Sequence, residues 1–168
     1  MTIELKKYHD RLEHTIAELK MENIERQHAV EELEKLSITD PLTSIYNRRK
    51  FNELLTFEVE RSKRYKTGLS IIMCDIDDFK NINDTFGHDV GDNALKIFSS
   101  RINDNIREVD MLARWGDEEF IILMPIANID NTSSVAEKLR KIIEKTEVKK
   151  VKSFTASFVV TNLHENDT

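Results

Sequence analysis

RWGDEEFIILM, the segment at residues 114–124, follows a short apolar run at residues 111–113. Two strand-like runs flank the pair Gly116 and Asp117, and this pattern predicts a β-hairpin with a tight two-residue turn. Both central residues of such a turn need a positive φ, which glycine adopts freely and aspartate tolerates. Three successive carboxylates at the exposed tip repel one another, so the tip is either a divalent-cation site or a solvated acidic turn.

A second acidic segment favours the cation site. The apolar run LSIIMC at residues 69–74 has the length of a buried strand and ends in DIDDFK at residues 75–80. Carboxylates at the end of a buried strand lie where sheet proteins bind ligands, and alternation places Asp75 and Asp77 on one face. Mg²⁺ takes oxygen ligands and shares them with substrate phosphates. An EF-hand calcium loop is excluded, because Phe79 and Lys80 stand where that loop needs a small polar ligand and glycine.

Three motifs, in order along the chain, resemble the signatures of the GGDEF family, the diguanylate cyclases. They are DPLTSIYNRRKF at 40–51, DIDDFKNINDTFGHDVGD at 75–92 and RWGDEEF at 114–120, the last with Asp117 in place of the second glycine. The resemblance extends from about residue 33 to about residue 160. It implies a homodimeric enzyme that condenses two GTP molecules into cyclic di-GMP and releases two pyrophosphates, the 3′-hydroxyl of each GTP attacking the α-phosphate of the other.

The resemblance also implies roles for residues of the two acidic segments. Asp75, Glu118 and the backbone carbonyl of Ile76 match the family's ligands for Mg²⁺ (or Mn²⁺). Glu118 further matches the assigned proton acceptor, and Glu119 matches a second carboxylate on the metal side. Lys80 matches a contact to the phosphates or to the transition state, where its ammonium group supplies a point charge.

Nucleotide contacts are implied for the segment that follows the first acidic cluster. Asn83 and Asp92 match the family's guanine contacts, the backbone at Phe79 faces the phosphates, and His88 adds a nucleotide contact. The residues alone leave other readings open: Asp92 is equally suited to cap the N-terminus of a helix over about 93–106, Asn83 to a turn, and His88 to the surface.

Arg107 and Asp110 form an R-x-x-D pattern shortly before the hairpin. Its placement matches the family's inhibitory site, at which the arginine and the aspartate bind the product, cyclic di-GMP. A surface ion pair would produce the same four-residue pattern.

Residues 1–36 contain no glycine or proline and are rich in Glu, Lys, Leu and Arg. Apolar residues recur on a seven-residue grid, which Arg26 interrupts once. The seam consists of Leu5, His9, Leu12, Ile16, Leu19, Asn23, Val30 and Leu33. This pattern, with one polar Asn, predicts a parallel two-stranded coiled coil, and the alternative is a single helix packed on its own domain. The resemblance implies that such a helix links an upstream sensor to the cyclase.

The remaining pattern predicts an α+β domain at residues 37–168, after the helix at 1–36. Pro41 is expected to end the first helix, and Gly68 to close a second helix at 47–65. Ser134 and Glu137 form a capping-box pattern before another helix, and residues 148–160 contain strand-like runs. The order β-α-β-β-α-β after an entry helix is a ferredoxin-like arrangement, the palm of nucleotidyl cyclases.

Composition narrows the classes further. The chain has 168 residues, a net charge of −6 and one cysteine, Cys74, inside the apolar run. The charge argues against a nucleic-acid partner, and a lone core cysteine fits a reducing, cytoplasmic compartment. No run approaches the 18 apolar residues of a membrane span.

Two departures from the family pattern leave the activity open. Asp117 adds a carboxylate near the triphosphate. The family continues past a late strand through a helix with Lys and Arg, so the sequence is expected to be truncated at Thr168. The alternatives to a cyclase are a non-catalytic module that senses cyclic di-GMP or GTP and signals through its coiled coil, or a dimerisation element.

Overall fold

The computed structural model describes residues 2–36, 38–149, 151 and 153–163. The chain divides into two compact units after residue 37. The first unit is one helix, α1 (Thr2–Leu36). Along it the apolar seam residues Leu12, Ile16 and Leu19 are exposed. The pairing of this seam with a second helix stays a prediction.

Helix α1 ends at Leu36, as predicted for the helix at 1–36, but Pro41 does not directly follow its end. Pro41 lies instead in a turn at residues 41–43. The Asp40 carboxylate organises this turn by accepting hydrogen bonds from the backbone N–H of Leu42 (3.2 Å) and of Thr43 (2.8 Å). Such a side-chain cap gives the backbone an alternative to helix.

The second unit is an α+β domain, as predicted. Its elements are β1 (Tyr46–Asn47), α2 (Arg48–Tyr65), β2 (Leu69–Ile76), α3 (Phe79–Phe86), α4 (His88–Asn103), β3 (Met111–Arg114), β4 (Glu119–Pro125), α5 (Ile129–Glu144) and β5 (Ala156–Asn162). The five strands form one sheet in the order β1-β3-β4-β2-β5. The β1–β3 pair is parallel and the other three pairs are antiparallel. From β2 to β5 this is the predicted ferredoxin-like arrangement.

Helices cover both faces of the sheet. On one face α3, α4 and α5 pack over a cluster that includes Ile72, Cys74, Phe98, Phe120 and Leu139. On the other face the core under α2 contains Phe51, Leu69, Ala113, Ile121 and Leu123. Strand β4 is buried from Phe120 to Pro125 because it lies at the centre of the sheet, which explains its unbroken apolar sequence.

The limits of α2 depend on two specific backbone positions. The Asn47 side chain accepts a hydrogen bond from the Lys50 N–H (2.9 Å) and caps the helix, so the predicted start at residue 47 is correct within one residue. The predicted closure by Gly68 is wrong, because Lys66 takes the left-handed conformation (φ 53°) that ends the helix. Gly68 instead allows close approach of the Ala127 backbone, since a Cβ there would collide with the Ala127 carbonyl.

Two predicted helix starts are also wrong. Helix α4 begins at His88 after Gly87 (φ 88°), so Asp92 lies inside the helix and does not cap it. Helix α5 begins at Ile129, because the Asn128 side chain accepts from the Asn131 N–H (2.9 Å). The expected capping-box residues, Ser134 and Glu137, therefore lie within α5.

The strand-like runs predicted at residues 148–160 include the last strand of the sheet. Only Ala156–Asn162 forms β5, an edge strand paired antiparallel with β2. Val148 and Val151 form an isolated bridge. Among the described residues, no helix is long and apolar enough to cross a membrane.

Candidate active site

The β3–β4 hairpin has a four-residue loop at positions 115–118, so the predicted tight two-residue turn is wrong. The backbone N–H groups of Trp115 (2.8 Å) and Gly116 (3.2 Å) both donate to the Glu119 carbonyl. Neither Gly116 nor Asp117 has a positive φ, since the longer loop closes without one. Glycine is favoured at 116 for a different reason, because a Cβ there would collide with the Glu119 carboxylate.

Arg114 fixes the conformation of this loop. Its guanidinium donates to the carbonyls of Gly116 (3.1 Å) and Asp117 (2.8 Å), and Nη1 pairs with the Asp40 carboxylate at 3.3 Å. Burial alone would raise the pKa of Asp40, but the hydrogen bonds from Thr43 and the charge of Arg114 outweigh it and lower that pKa. The hairpin tip is thus tied to the turn at residues 40–43.

Trp115 anchors the same loop to α2. Its ring meets the edge of Phe51 at 5.8 Å between centroids, and the Arg48 guanidinium lies 4.2 Å from its centroid. Sequence reasoning missed these supports and Arg114. The signal was available in the motif itself, because an Arg-Trp pair directly before a turn supplies both a multiple donor and a large apolar anchor.

The carboxylates of the two acidic segments come together at one end of the sheet. Strands β2 and β4 pair in a register that places Asp75 opposite Glu119, and the Ile76 N–H donates to the Glu118 carbonyl at 3.3 Å. Burial, followed by the charges of Asp75, Asp117 and Glu119, raises the pKa of Glu118. Burial, followed by the charge of Asp77, raises the pKa of Asp75. Negative charge therefore accumulates here with no compensating cation among these side chains.

This donor set fits a hard divalent cation. The expected ligands are two carboxylates, on Asp75 and Glu118, and one backbone carbonyl, on Ile76. The described residues contain no group of three or more His, Cys, Asp or Glu side chains arranged as a metal centre. A site with few protein ligands suits Mg²⁺, which keeps several positions for water and substrate phosphate. Burial and neighbouring carboxylates both disfavour the charged forms of Asp75 and Glu118, and a bound cation would offset that cost.

Asp77 points to β5 and makes contacts there. Its Oδ2 accepts a hydrogen bond from Thr155 Oγ1 (2.6 Å) and its Oδ1 accepts one from Ser157 Oγ (2.8 Å). The Asp77 N–H also donates to the Thr155 carbonyl at 3.0 Å. These three bonds join the end of β2 to the start of β5.

The predicted phosphate contacts, Phe79 and Lys80, lie at the start of α3, after a turn that follows β2. Asp78 has a left-handed backbone (φ 52°), and its side chain makes no capping hydrogen bond. Phe79 is buried, so only its backbone can meet a ligand. Lys80 is exposed, and within the described part of the chain its ammonium group forms no ion pair.

The predicted guanine contacts meet at the corner between α3 and α4. The Asn83 amide lies so close to the Gly91 backbone that a Cβ on Gly91 would collide with it, which brings Asn83 beside the residue preceding Asp92. Asp92 is exposed and is not engaged in capping α4. His88 begins α4 one turn earlier and is also exposed.

Arg107 and Asp110 form a closed pair at the other end of β3. Arg107 donates from Nη2 (2.6 Å) and from Nε (3.1 Å) to the Asp110 carboxylate, whose side chain is 1% exposed. A cleft of about 340 Å³ adjoins the pair and is also lined by Lys138, which sequence reasoning missed. The Lys138 ammonium donates to the Asn105 carbonyl at 3.2 Å. Strand β3 separates this cleft from the hairpin tip.

A family model and curated relatives match this chain. The model described as "Diguanylate cyclase, GGDEF domain" matches residues 37–166. Response regulator PleD of Caulobacter vibrioides is 41% identical over 106 residues, which are 63% of this chain and 23% of PleD. Diguanylate cyclase DgcP of Pseudomonas aeruginosa is 40% identical over 114 residues, 68% of this chain and 17% of DgcP. The chain thus spans about a quarter or less of the length of these relatives.

Solved structures agree in fold. Diguanylate cyclase SiaD of Pseudomonas aeruginosa, solved with its activator SiaC, aligns with a TM-score of 0.72 at 34% identity over 97% of this chain and 65% of SiaD. The active GGEEF domain of a Vibrio cholerae diguanylate cyclase aligns with a TM-score of 0.70 at 32% identity, over 73% of this chain and 79% of that one. The GGDEF domain of DgcB from Caulobacter crescentus, solved with c-di-GMP, aligns with a TM-score of 0.74 at 25% identity, over 79% of this chain and 81% of that one.

Proposed function

Because this chain belongs to the GGDEF-domain family of diguanylate cyclases, we propose that it condenses two GTP molecules into cyclic di-GMP and two pyrophosphates in a Mg²⁺-dependent reaction. The observation that carries the proposal is the meeting of Asp75 and Glu118 at one end of neighbouring strands, where the charge of Asp75 contributes to raising the pKa of Glu118. Phosphoryl transfer depends on positioning and charge stabilisation, and this carboxylate pair offers both.

Asp75, Glu118 and the Ile76 carbonyl would hold Mg²⁺ or Mn²⁺, which supplies Lewis-acid stabilisation of the phosphoryl oxygens. Glu118 would accept the proton of the attacking 3′-hydroxyl. Glu119 adds a second carboxylate beside it. Lys80, exposed and without an ion pair in the described residues, places its positive charge near the triphosphate.

The α3–α4 corner binds the nucleotide in this proposal. The Asn83 amide pairs with the guanine edge, and the Asp92 carboxylate accepts hydrogen bonds from the guanine N1–H and amino group. The backbone at Phe79 faces the phosphates, and His88 contacts the nucleotide from the start of α4. The exposed, uncommitted carboxylate of Asp92 supports this role, because the capping alternative does not apply.

Two copies of the chain must meet, since each contributes one GTP. We place the contact in part on α1, whose exposed apolar seam suits a parallel coiled coil with a second copy. This helix would also carry the signal from an upstream sensor domain or protein.

The test is the formation of cyclic di-GMP from GTP with Mg²⁺, followed by chromatography. Glu118→Gln keeps the shape of the side chain and removes its charge, so product formation should fall by at least about 100-fold. Glu108→Gln, an exposed glutamate at the far end of β3, is the matched control and should retain full activity. A folded protein that binds GTP and Mg²⁺ without turnover would contradict the cyclase.

A second candidate function is a non-catalytic sensor of cyclic di-GMP or GTP. The cleft beside Arg107, Asp110 and Lys138 favours it, because two cationic side chains border a recess large enough for part of a nucleotide. Calorimetry with cyclic di-GMP distinguishes the two. Binding that Arg107→Ala abolishes, in a protein that never makes the product, would support the sensor.

A further inference from the structure

The turn between β2 and α3 carries much of the proposed site but lacks the usual local supports. Asp78 takes a left-handed conformation that glycine would adopt more easily, and its side chain does not cap α3. The first α3 hydrogen bonds run from the N–H groups of Asn81 (2.9 Å) and Ile82 (3.3 Å) to the Asp78 carbonyl. Apart from these two bonds, the turn depends on contacts with residues outside it.

Strand β5 provides that support. Thr155 and Ser157 each donate a hydroxyl hydrogen to a different oxygen of the Asp77 carboxylate, at 2.6 and 2.8 Å. Hydrogen bonds to a charged acceptor are stronger than those between neutral groups. The Asp77 N–H is bound as well, to the Thr155 carbonyl at 3.0 Å. Asp77 is thus fixed at three atoms. It lies two residues after Asp75 and directly before the left-handed Asp78.

We propose that Thr155 and Ser157 are positioning residues for the metal site: by holding Asp77 they fix the chain between the proposed metal ligands at the end of β2, Asp75 and the Ile76 carbonyl, and the Phe79 backbone that would face the phosphates. The inference rests on the proposed cyclase function. Groups that orient metal ligands without touching the metal commonly change its affinity by about 10-fold or more when removed. The same two hydroxyls hold the Asp77 carboxylate against the start of β5.

The first experiment measures Mn²⁺ affinity by electron paramagnetic resonance. The double variant Thr155→Val with Ser157→Ala removes both hydroxyls and should bind Mn²⁺ about 10-fold more weakly. Thr155→Ser keeps a hydroxyl and should restore most of the affinity in the presence of Ser157. Thr161→Val is the matched control, because Thr161 is an exposed β5 residue opposite Ile71, remote from Asp77. Unchanged affinity in the double variant overturns the inference.

A thermodynamic cycle with Asp77→Ala identifies the partner. If the hydroxyls act through Asp77, their removal should have no further effect in the Asp77→Ala background. An Asp77→Ala variant that loses far more Mn²⁺ affinity than the hydroxyl variant would show Asp77 to be a metal ligand, which also overturns the positioning role. If the double variant does not fold, the two single variants are measured, and wild-type affinity in both contradicts the proposal.

Amide hydrogen exchange provides a readout that does not depend on turnover. The Asn81 and Ile82 amides should exchange about 10-fold faster in the double variant than in Thr161→Val, since the turn that orders them is released. Equal exchange overturns the inference even if the protein is not a cyclase. Absence of cyclic di-GMP in the wild type, with normal exchange differences, contradicts only the proposed function. In an active enzyme, kcat should fall about 10-fold in the double variant, with a smaller change in KM.

Discussion

Arg114 shows how one side chain can define a loop that has no glycine turn. Its guanidinium donates to two loop carbonyls and pairs with the Asp40 carboxylate. The conformation of the acidic tip therefore depends on the positively charged Arg114 side chain. At the same scale the sequence correctly indicated that the two acidic segments would lie on neighbouring strands, where Asp75 is opposite Glu119. It could not indicate the contacts of Asp77, because Thr155 and Ser157 lie 78 and 80 residues away along the chain.

The Asp40–Arg114 pair predicts a pH-dependent stability. The pKa of Asp40 is lowered on folding, whereas an unfolded aspartate titrates at about 3.9. Its contribution is therefore complete above that value and is lost as the pH falls through the folded pKa. Asp40→Asn should be less stable than the wild type at pH 7, and the difference should shrink below about pH 4, as measured by urea unfolding. A difference that stays constant from pH 7 to pH 3 would contradict this role of the pair.

Ile126 is a strained position. It is β-branched, has φ 55° and is 62% exposed, so a left-handed backbone costs it energy with little burial in return. Ile126→Asn should raise the free energy of unfolding by about 1 kcal/mol, since asparagine tolerates this conformation. The measurement is urea denaturation. Ile129→Asn, a similar loss of an exposed isoleucine within a helix, should not stabilise the protein, and equal gains in both variants would contradict the strain.

At the scale of elements, continuous apolar runs identified β2 and β4, because a central strand covered on both faces must be apolar throughout. Helix starts were less predictable. Several polar residues near α5 can serve as a cap, and the choice of Asn128 over Ser134 depends on where the chain leaves β4. The predicted length of the hairpin turn was wrong for a related reason, since a Gly-Asp pair is compatible with both a two-residue and a four-residue loop.

Substitutions of two loop glycines, Gly116 and Gly68, are expected to have opposite effects on stability and activity. Gly116→Ala would collide with the end of a flexible side chain, Glu119, so stability should change by less than about 1 kcal/mol while turnover falls. Gly68→Ala would collide with the Ala127 backbone carbonyl and should destabilise the fold by about 2 kcal/mol. Thermal unfolding and product formation measure both. A Gly116→Ala variant with unimpaired turnover would indicate that the Glu119 side chain can move without consequence.

At the scale of the whole molecule, the two units have different sources of stability. The domain after residue 37 has its own core, whereas the apolar seam of α1 is exposed and its pairing with a second helix is a prediction. The fold of the domain could be predicted because its motifs and its periodicity agree. The cleft at Arg107 was predicted only in part, because Lys138 reaches it from α5, a helix distant in sequence.

The predicted coiled coil can be tested by charge placement. Leu19→Asp puts a carboxylate in the seam and should convert a dimer into a monomer in light scattering, with cyclic di-GMP formation reduced by at least about 10-fold. Met21→Asp adds the same charge to an exposed residue off the seam and should leave the dimer intact. The far-ultraviolet circular dichroism of the domain should persist in both. A dimer that survives Leu19→Asp would place the contact elsewhere.

Cys74 lies fully buried in β2, and burial raises the pKa of its thiol well above the ordinary value. It is the one cysteine in the sequence. In the native protein the Cys74 thiol should therefore not react with maleimide or iodoacetamide, whereas in the unfolded protein it should react. Dyes or spin labels can accordingly be attached at newly introduced surface cysteines without replacing Cys74. The slow alkylation of Cys74 then reports the rate at which the native protein unfolds globally.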